Sequence, residues 1–161
     1  MAVPKYFVTF EENRHQTLAE FCSLLRSLER KTVGTIQLAE LCSMAEYPNG
    51  VYLFFANDNE LRYVGKSTSR SFIERIASHF DQRHDAWFAT LPRRVLKLSK
   101  MAAYADAHAH ALQFQLVLVG VKVGATAVKL ENALRSYMKP TLNTKRGNSY
   151  DGHELLSSFE T

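Results

Sequence analysis

Between Gly50 and Gly65 the chain carries two short runs of β-forming residues tied by a polar turn, and no other stretch restricts the fold as strongly. Val51-Tyr52-Leu53-Phe54-Phe55 is unbroken and apolar, and Leu61-Arg62-Tyr63-Val64-Gly65 follows after Asn57-Asp58-Asn59. Runs of this length on either side of Asn and Asp predict an antiparallel hairpin. Tyr52 and Tyr63 then lie on facing strands and can share one face of the sheet.

The segments around the hairpin are mostly helical. Ser71 to Phe80 places Phe72, Ile73, Ile76 and Phe80 on one face, with Ser69 or Ser71 as the cap, and Arg75 and His79 on a neighbouring stripe four residues apart. Pro92 divides the stretch from Asp81 to His110, and Met101 to Ala111 is rich in helix formers. Phe114, Leu116, Leu118 and Gly120 alternate with Val117, Val119 and Val121, the pattern of a strand covered on both faces. Ala127 to Met138 reads as a helix with Leu130, Ala133, Leu134 and Tyr137 inward, stopped by Pro140. Before the hairpin, Tyr6, Val8 and Phe10 alternate briefly. Leu18, Phe21, Cys22, Leu25 and Leu28 then recur at helical spacing, and Thr35 is placed to cap a second helix with Leu38, Leu41, Cys42 and Ala45 inward. The tail from Lys145 to Gly152 reads as a loop, with Leu155 and Leu156 folding back.

The length of 161 residues suits one compact domain with a short appendage. We expect an α+β fold, with residues 1–48 as an N-terminal helical extension packed on a domain of residues 49–161 that carries a helical insertion around 81–111. A net charge of +4 leans mildly toward polyanionic partners. Cys22 and Cys42 are expected as small buried thiols, and nothing points to an oxidising compartment. The N-terminal residues lack the apolar stretch of a signal peptide, and no run reaches a membrane-spanning length, so a cytoplasmic protein is expected.

Gly50-Val51-Tyr52, then Tyr63-Val64-Gly65-Lys66, Arg75 and His79 on the next helix, Glu131 on a later one and Asn143 after Pro140 stand in an order and spacing that resemble the GIY-YIG nuclease family. The match runs from Gly50 to Asn143, and the interval 81–111 is long for the minimal domain. The resemblance implies a small, mainly antiparallel three-stranded sheet flanked by helices, and an endonuclease that hydrolyses DNA phosphodiester bonds with one Mg²⁺ or Mn²⁺.

The residue types suit that chemistry. Glu131 is the only carboxylate of the set, and one carboxylate plus water and phosphate oxygens suits a single hard cation. Arg75 would grip the scissile phosphate. Tyr52 or Tyr63 would deprotonate or orient the attacking water, helped by Lys66 and Arg75, whose charges favour phenolate. His79 would relay a proton or hold a tyrosine. Asn143 would orient the glutamate or fix the strand end, and Gly50 and Gly65 belong to the hairpin motifs. Arg93, Arg94, Lys97 and Lys100 form one basic track for DNA phosphates, and Lys145 and Arg146 a second. Trp87 and Phe88 read as core, and His108 with His110 lacks the partners of a zinc site. A catalytically silent nucleic-acid-binding module of the same fold, or an RNase, stays open as an alternative. So do the strandedness of the DNA and a homodimer or protein partner met through the N-terminal helices.

Overall fold

The computed structural model describes residues 3–44, 46–83, 85, 90–143 and 149–160. Ala45, Trp87, Phe88, Lys145 and Arg146 therefore lie outside the described residues.

The hairpin is present as read. Strands β3 (Asn49–Phe55) and β4 (Leu61–Ser67), numbered in chain order with β1 and β2 given below, pair antiparallel with Tyr52 opposite Gly65 and Phe54 opposite Tyr63. The turn closes because Asn59 takes a positive φ of 68° and its N–H bonds to the Ala56 carbonyl at 3.0 Å. An asparagine tolerates that left-handed backbone better than most side chains. Strand β5 (Gln115–Val121) runs antiparallel along the other side of β3. Its residues are buried on both faces from Leu116 to Val121, as the two-sided alternation predicts.

The sheet has five strands, not the expected three. Two come from the first 48 residues: β1 (Phe7–Thr9) lies parallel to β5, and β2 (Lys31–Thr32) pairs antiparallel with it. The order is β1-β5-β3-β4, with β2 also on β5, so the sheet is open and mostly antiparallel. Helices α1 (Phe10–Asn13), α2 (Leu18–Ser27) and α3 (Leu38–Cys42) fill out this region. Gln37, not Thr35, caps α3 by a reciprocal bond pair with Glu40. Cys22 is buried, but Cys42 is exposed, contrary to expectation, because the short α3 turns Leu41 inward and leaves Leu38 and Cys42 to solvent.

Two cores sandwich the sheet. On one face Val51, Leu53, Phe55, Val64, Val117 and Val119 pack against α2 and the long helix α7 (Gly124–Met138). On the other, Tyr52, Phe54, Tyr63, Leu116 and Leu118 meet α4 (Phe72–His79), α5 (Thr90–Leu98) and α6 (Tyr104–Ala111). The two sets separate by the period-2 alternation of the strands. Tyr137, expected inward on α7, is exposed. After α7, Leu156 is buried and residues 154–157 bond to the backbone of residues 14–18.

Candidate functional site

The site is built on the aromatic face of the hairpin. Tyr52 and Tyr63 stack at 6.3 Å between ring centroids. Gly65 makes room for this: a Cβ there would sit 2.3 Å from Tyr52 Cζ. Gly50 does the same for α4, since its Cβ would meet Phe72 Cζ at 2.1 Å.

Helix α4 begins at a capping box, in which Ser71 Oγ accepts from the Glu74 N–H and Glu74 accepts from the Ser71 N–H. That fixed start sets where Arg75 and His79 arrive. His79 was expected on a border stripe with Arg75, but it is fully buried. Its Nε2 lies 2.7 Å from the Tyr52 hydroxyl, and its ring meets Tyr63 edge-on at 5.4 Å. Of the two roles expected for it, the geometry supports holding a tyrosine.

Burial and the neighbouring charges of Arg75 and Arg94 hold His79 far below the usual 6.5, at about 3. A charged ring would also bury an Nδ1–H that has no acceptor among the described residues. The imidazole is thus neutral in the folded protein, while an unfolded chain takes up its proton near pH 6.5. Stability should therefore fall as pH drops below 6.5, through the window down to about 3, and stay level above it. His79→Gln keeps a hydrogen-bonding group beside Tyr52 without that titration. Between about pH 7 and about pH 5 the wild type should lose roughly 2 kcal/mol more than this variant, measured by urea denaturation at both pH values.

The phenols do not behave as expected. Burial raises both above the ordinary tyrosine value, and the Arg75 guanidinium, which acts on both, only partly offsets it. Lys66 is exposed and is not among the charges acting on either phenol. Each phenol is therefore a neutral O–H group in the protein by itself.

Glu131 comes from α7, on the opposite face; its side chain is 7% exposed and its charge reaches both Tyr52 and Tyr63. Arg135, one helical turn on, donates to Glu131 Oε1 at 3.2 Å. The spacing of four residues could have flagged this arginine in the sequence. Asn143 fixes the strand, not the glutamate: its Nδ2 donates to the Val64 carbonyl and its Oδ1 accepts from the Val64 N–H, each at 2.9 Å.

The basic track of α5 divides. Arg93, Lys97 and Lys100 are exposed, but Arg94 turns inward, with its Cζ 5.4 Å from the Tyr63 ring centroid. A cleft of about 390 Å³ is lined by Lys66, Ser67, Thr68, Ser69, Arg70 and Arg75, the last of which also acts on both phenols. Its three cations and three hydroxyls suit an anionic backbone. Arg70 and the hydroxyls were not read from the sequence as anion contacts, Ser69 having been considered only as a helix cap, since only their placement at and after the end of β4 gives them that meaning.

Among the described residues no group of three or more His, Cys, Asp and Glu side chains is gathered in one place. The acidic donor at the site is Glu131, a donor set that fits a hard ion retaining most of its waters. His108 instead bonds to the Phe80 carbonyl at 2.7 Å and packs on Phe80 and Tyr104. No helix among the described residues is long and apolar enough to cross a membrane. No protein-family model matches the chain, and neither the curated proteins nor the solved structures yield a match to it.

Proposed function

We propose that the chain is a GIY-YIG-type nuclease that hydrolyses DNA phosphodiester bonds with one divalent cation. One observation carries the reading: a guanidinium, Arg75, and a carboxylate, Glu131, each act on both stacked phenols of the hairpin. Two tyrosines in a core would need neither.

In this reading the phosphate lies in the cleft between Lys66 and Arg75. Arg75 binds a non-bridging oxygen and balances the charge that builds as the water attacks. The phenols orient that water, and His79 keeps Tyr52 in place. Glu131 would hold the Mg²⁺ or Mn²⁺, with Arg135 fixing its other oxygen. When bound, such an ion neutralises phosphate charge and makes water a better nucleophile. Exposed Arg93 and Lys97, on one side of α5, would meet phosphates farther along the strand.

The test is incubation of the purified protein with supercoiled plasmid, with and without Mg²⁺ or Mn²⁺. Nicked or linear product should form only with the metal. Binding without cleavage would instead assign the fold to a nucleic-acid-binding module, and cleavage confined to an RNA of matched length would make it an RNase.

A further inference from the structure

Arg94 was read as one of four surface cations, but its position ties three parts of the site together. Its Nη1 donates to the Leu142 carbonyl at 3.0 Å. Leu142 in turn donates its N–H to the Arg62 carbonyl at 2.7 Å, and Asn143 clasps Val64. Both attachments flank Tyr63 on β4. The guanidinium is therefore held from the far side by the segment it braces, and it faces the Tyr63 ring at 5.4 Å. That distance is within cation–π range.

The two phenols differ in what surrounds them. Tyr52 has no exposed surface, and its hydroxyl is engaged by His79 at 2.7 Å. Tyr63 keeps 7% exposure, and no hydrogen bond to its hydroxyl is found among the described residues. Positive charge reaches Tyr63 from Arg94, Arg75 and Arg135, but reaches Tyr52 from Arg75 alone. A general base must touch the water it deprotonates. Of the two phenols, Tyr63 is the one that keeps exposed surface and has a guanidinium, Arg94, facing its ring, while Glu131 and burial act against ionisation at both.

We propose that Arg94, supplied by the insertion helix α5, is a positioning residue that makes Tyr63, not Tyr52, the base of the reaction. Tyr63 releases its proton to solvent and the adjacent guanidinium stabilises the phenolate. The phenolate oxygen then takes a proton from water. The water oxygen bonds to phosphorus, the bond from phosphorus to the leaving strand breaks, and the departing oxygen is protonated by solvent. This rests on the nuclease reading above.

Two measurements test it. In protein carrying fluorinated tyrosine, whose phenols ionise at lower pH, the ¹⁹F signal of Tyr63 is assigned with Tyr63→Phe and followed against pH. Arg94→Gln should raise its midpoint by about one pH unit or more, Arg94→Lys by clearly less, and neither should move the Tyr52 signal. In plasmid cleavage with Mg²⁺, Arg94→Gln should move the rising limb of the rate–pH profile to higher pH by a similar amount. Tyr63→Phe should remove cleavage and Tyr52→Phe should leave a measurable fraction. Should Arg94→Gln melt below the assay temperature, Arg94→Met, which keeps the packing of the stem, takes its place. An unmoved Tyr63 midpoint and rate profile in an active enzyme would overturn the role of Arg94 while sparing the nuclease reading. Absence of cleavage by the wild type would sink that reading and the base with it. The ¹⁹F titration would still decide whether Arg94 governs Tyr63.

Discussion

Glu131→Gln is expected to lower metal-dependent cleavage of plasmid DNA by about a thousandfold or more while leaving the fold intact. The carboxylate is the acidic group that reaches both phenols, and it is almost completely shielded from solvent. Glutamine preserves the volume, and its carbonyl oxygen can still accept from Arg135, now 3.2 Å from Oε1. What it removes is the negative charge that would hold a cation. Alanine is the poorer probe. It would leave the Arg135 guanidinium without its carboxylate, and removing one member of a buried pair costs roughly 3 kcal/mol in its own right. A melting temperature within a few degrees of wild type, together with the lost rate, would separate chemistry from stability. Cleavage by Glu131→Gln within tenfold of wild type would take Glu131 out of the site.

Gly65→Ala should impair both stability and activity without touching any reacting group. The added methyl would stand 2.3 Å from Tyr52 Cζ and 2.4 Å from its hydroxyl oxygen. The ring has nowhere to retreat, since His79 holds its hydroxyl on the far side at 2.7 Å. Forcing a methyl into such a contact costs about 1–3 kcal/mol. A displacement of the phenols by about 1 Å is enough to cost about a hundredfold in rate. Gly124→Ala is the matched control, because there the nearest atom, Asn49 Oδ1, is 3.4 Å away, an ordinary contact, at the start of α7. Urea midpoints and cleavage rates of the two variants, side by side, give the comparison. Equal behaviour would mean that the stacking of Tyr52 over Gly65 does not position the site.

The parts of the fold that could be read from the letters are those set by local chemistry. The hairpin, the helix start at Ser69 or Ser71 and the two-faced strand β5 each announce themselves within about ten residues. Strand β1 shows only as the brief strand-like alternation of Tyr6, Val8 and Phe10, and β2 does not show at all. Phe7 pairs with Leu118 and Lys31 with Leu116, so their alignment depends on chain more than 80 residues away. Two- and three-residue strands also leave too little alternation to count. His79 escaped for a different reason. An imidazole is ordinarily polar enough for a helix border, and only the Tyr52 hydroxyl on another element makes its burial tolerable. Arg94 was grouped with its charged neighbours by proximity in sequence. On a helix, adjacent residues point about 100° apart, which sends Arg93 outward and Arg94 toward Tyr63. The phenol ionisation was misjudged because the cations could be counted in the sequence, whereas the depth of burial that outweighs them could not.

Asn143 and its two predecessors have a consequence beyond the phosphate cleft. Strand β4 is the last in the sheet, and its outer amides and carbonyls would be a ready template for another copy's backbone. Thr141 and Leu142 bond to the carbonyls of Leu61 and Arg62, and the Asn143 amide occupies both polar groups of Val64. The stretch works as a stopper on that border. If it frayed after Met138, the border groups of Leu61, Arg62 and Val64 would be bared together, and otherwise folded molecules would begin to clump edge to edge.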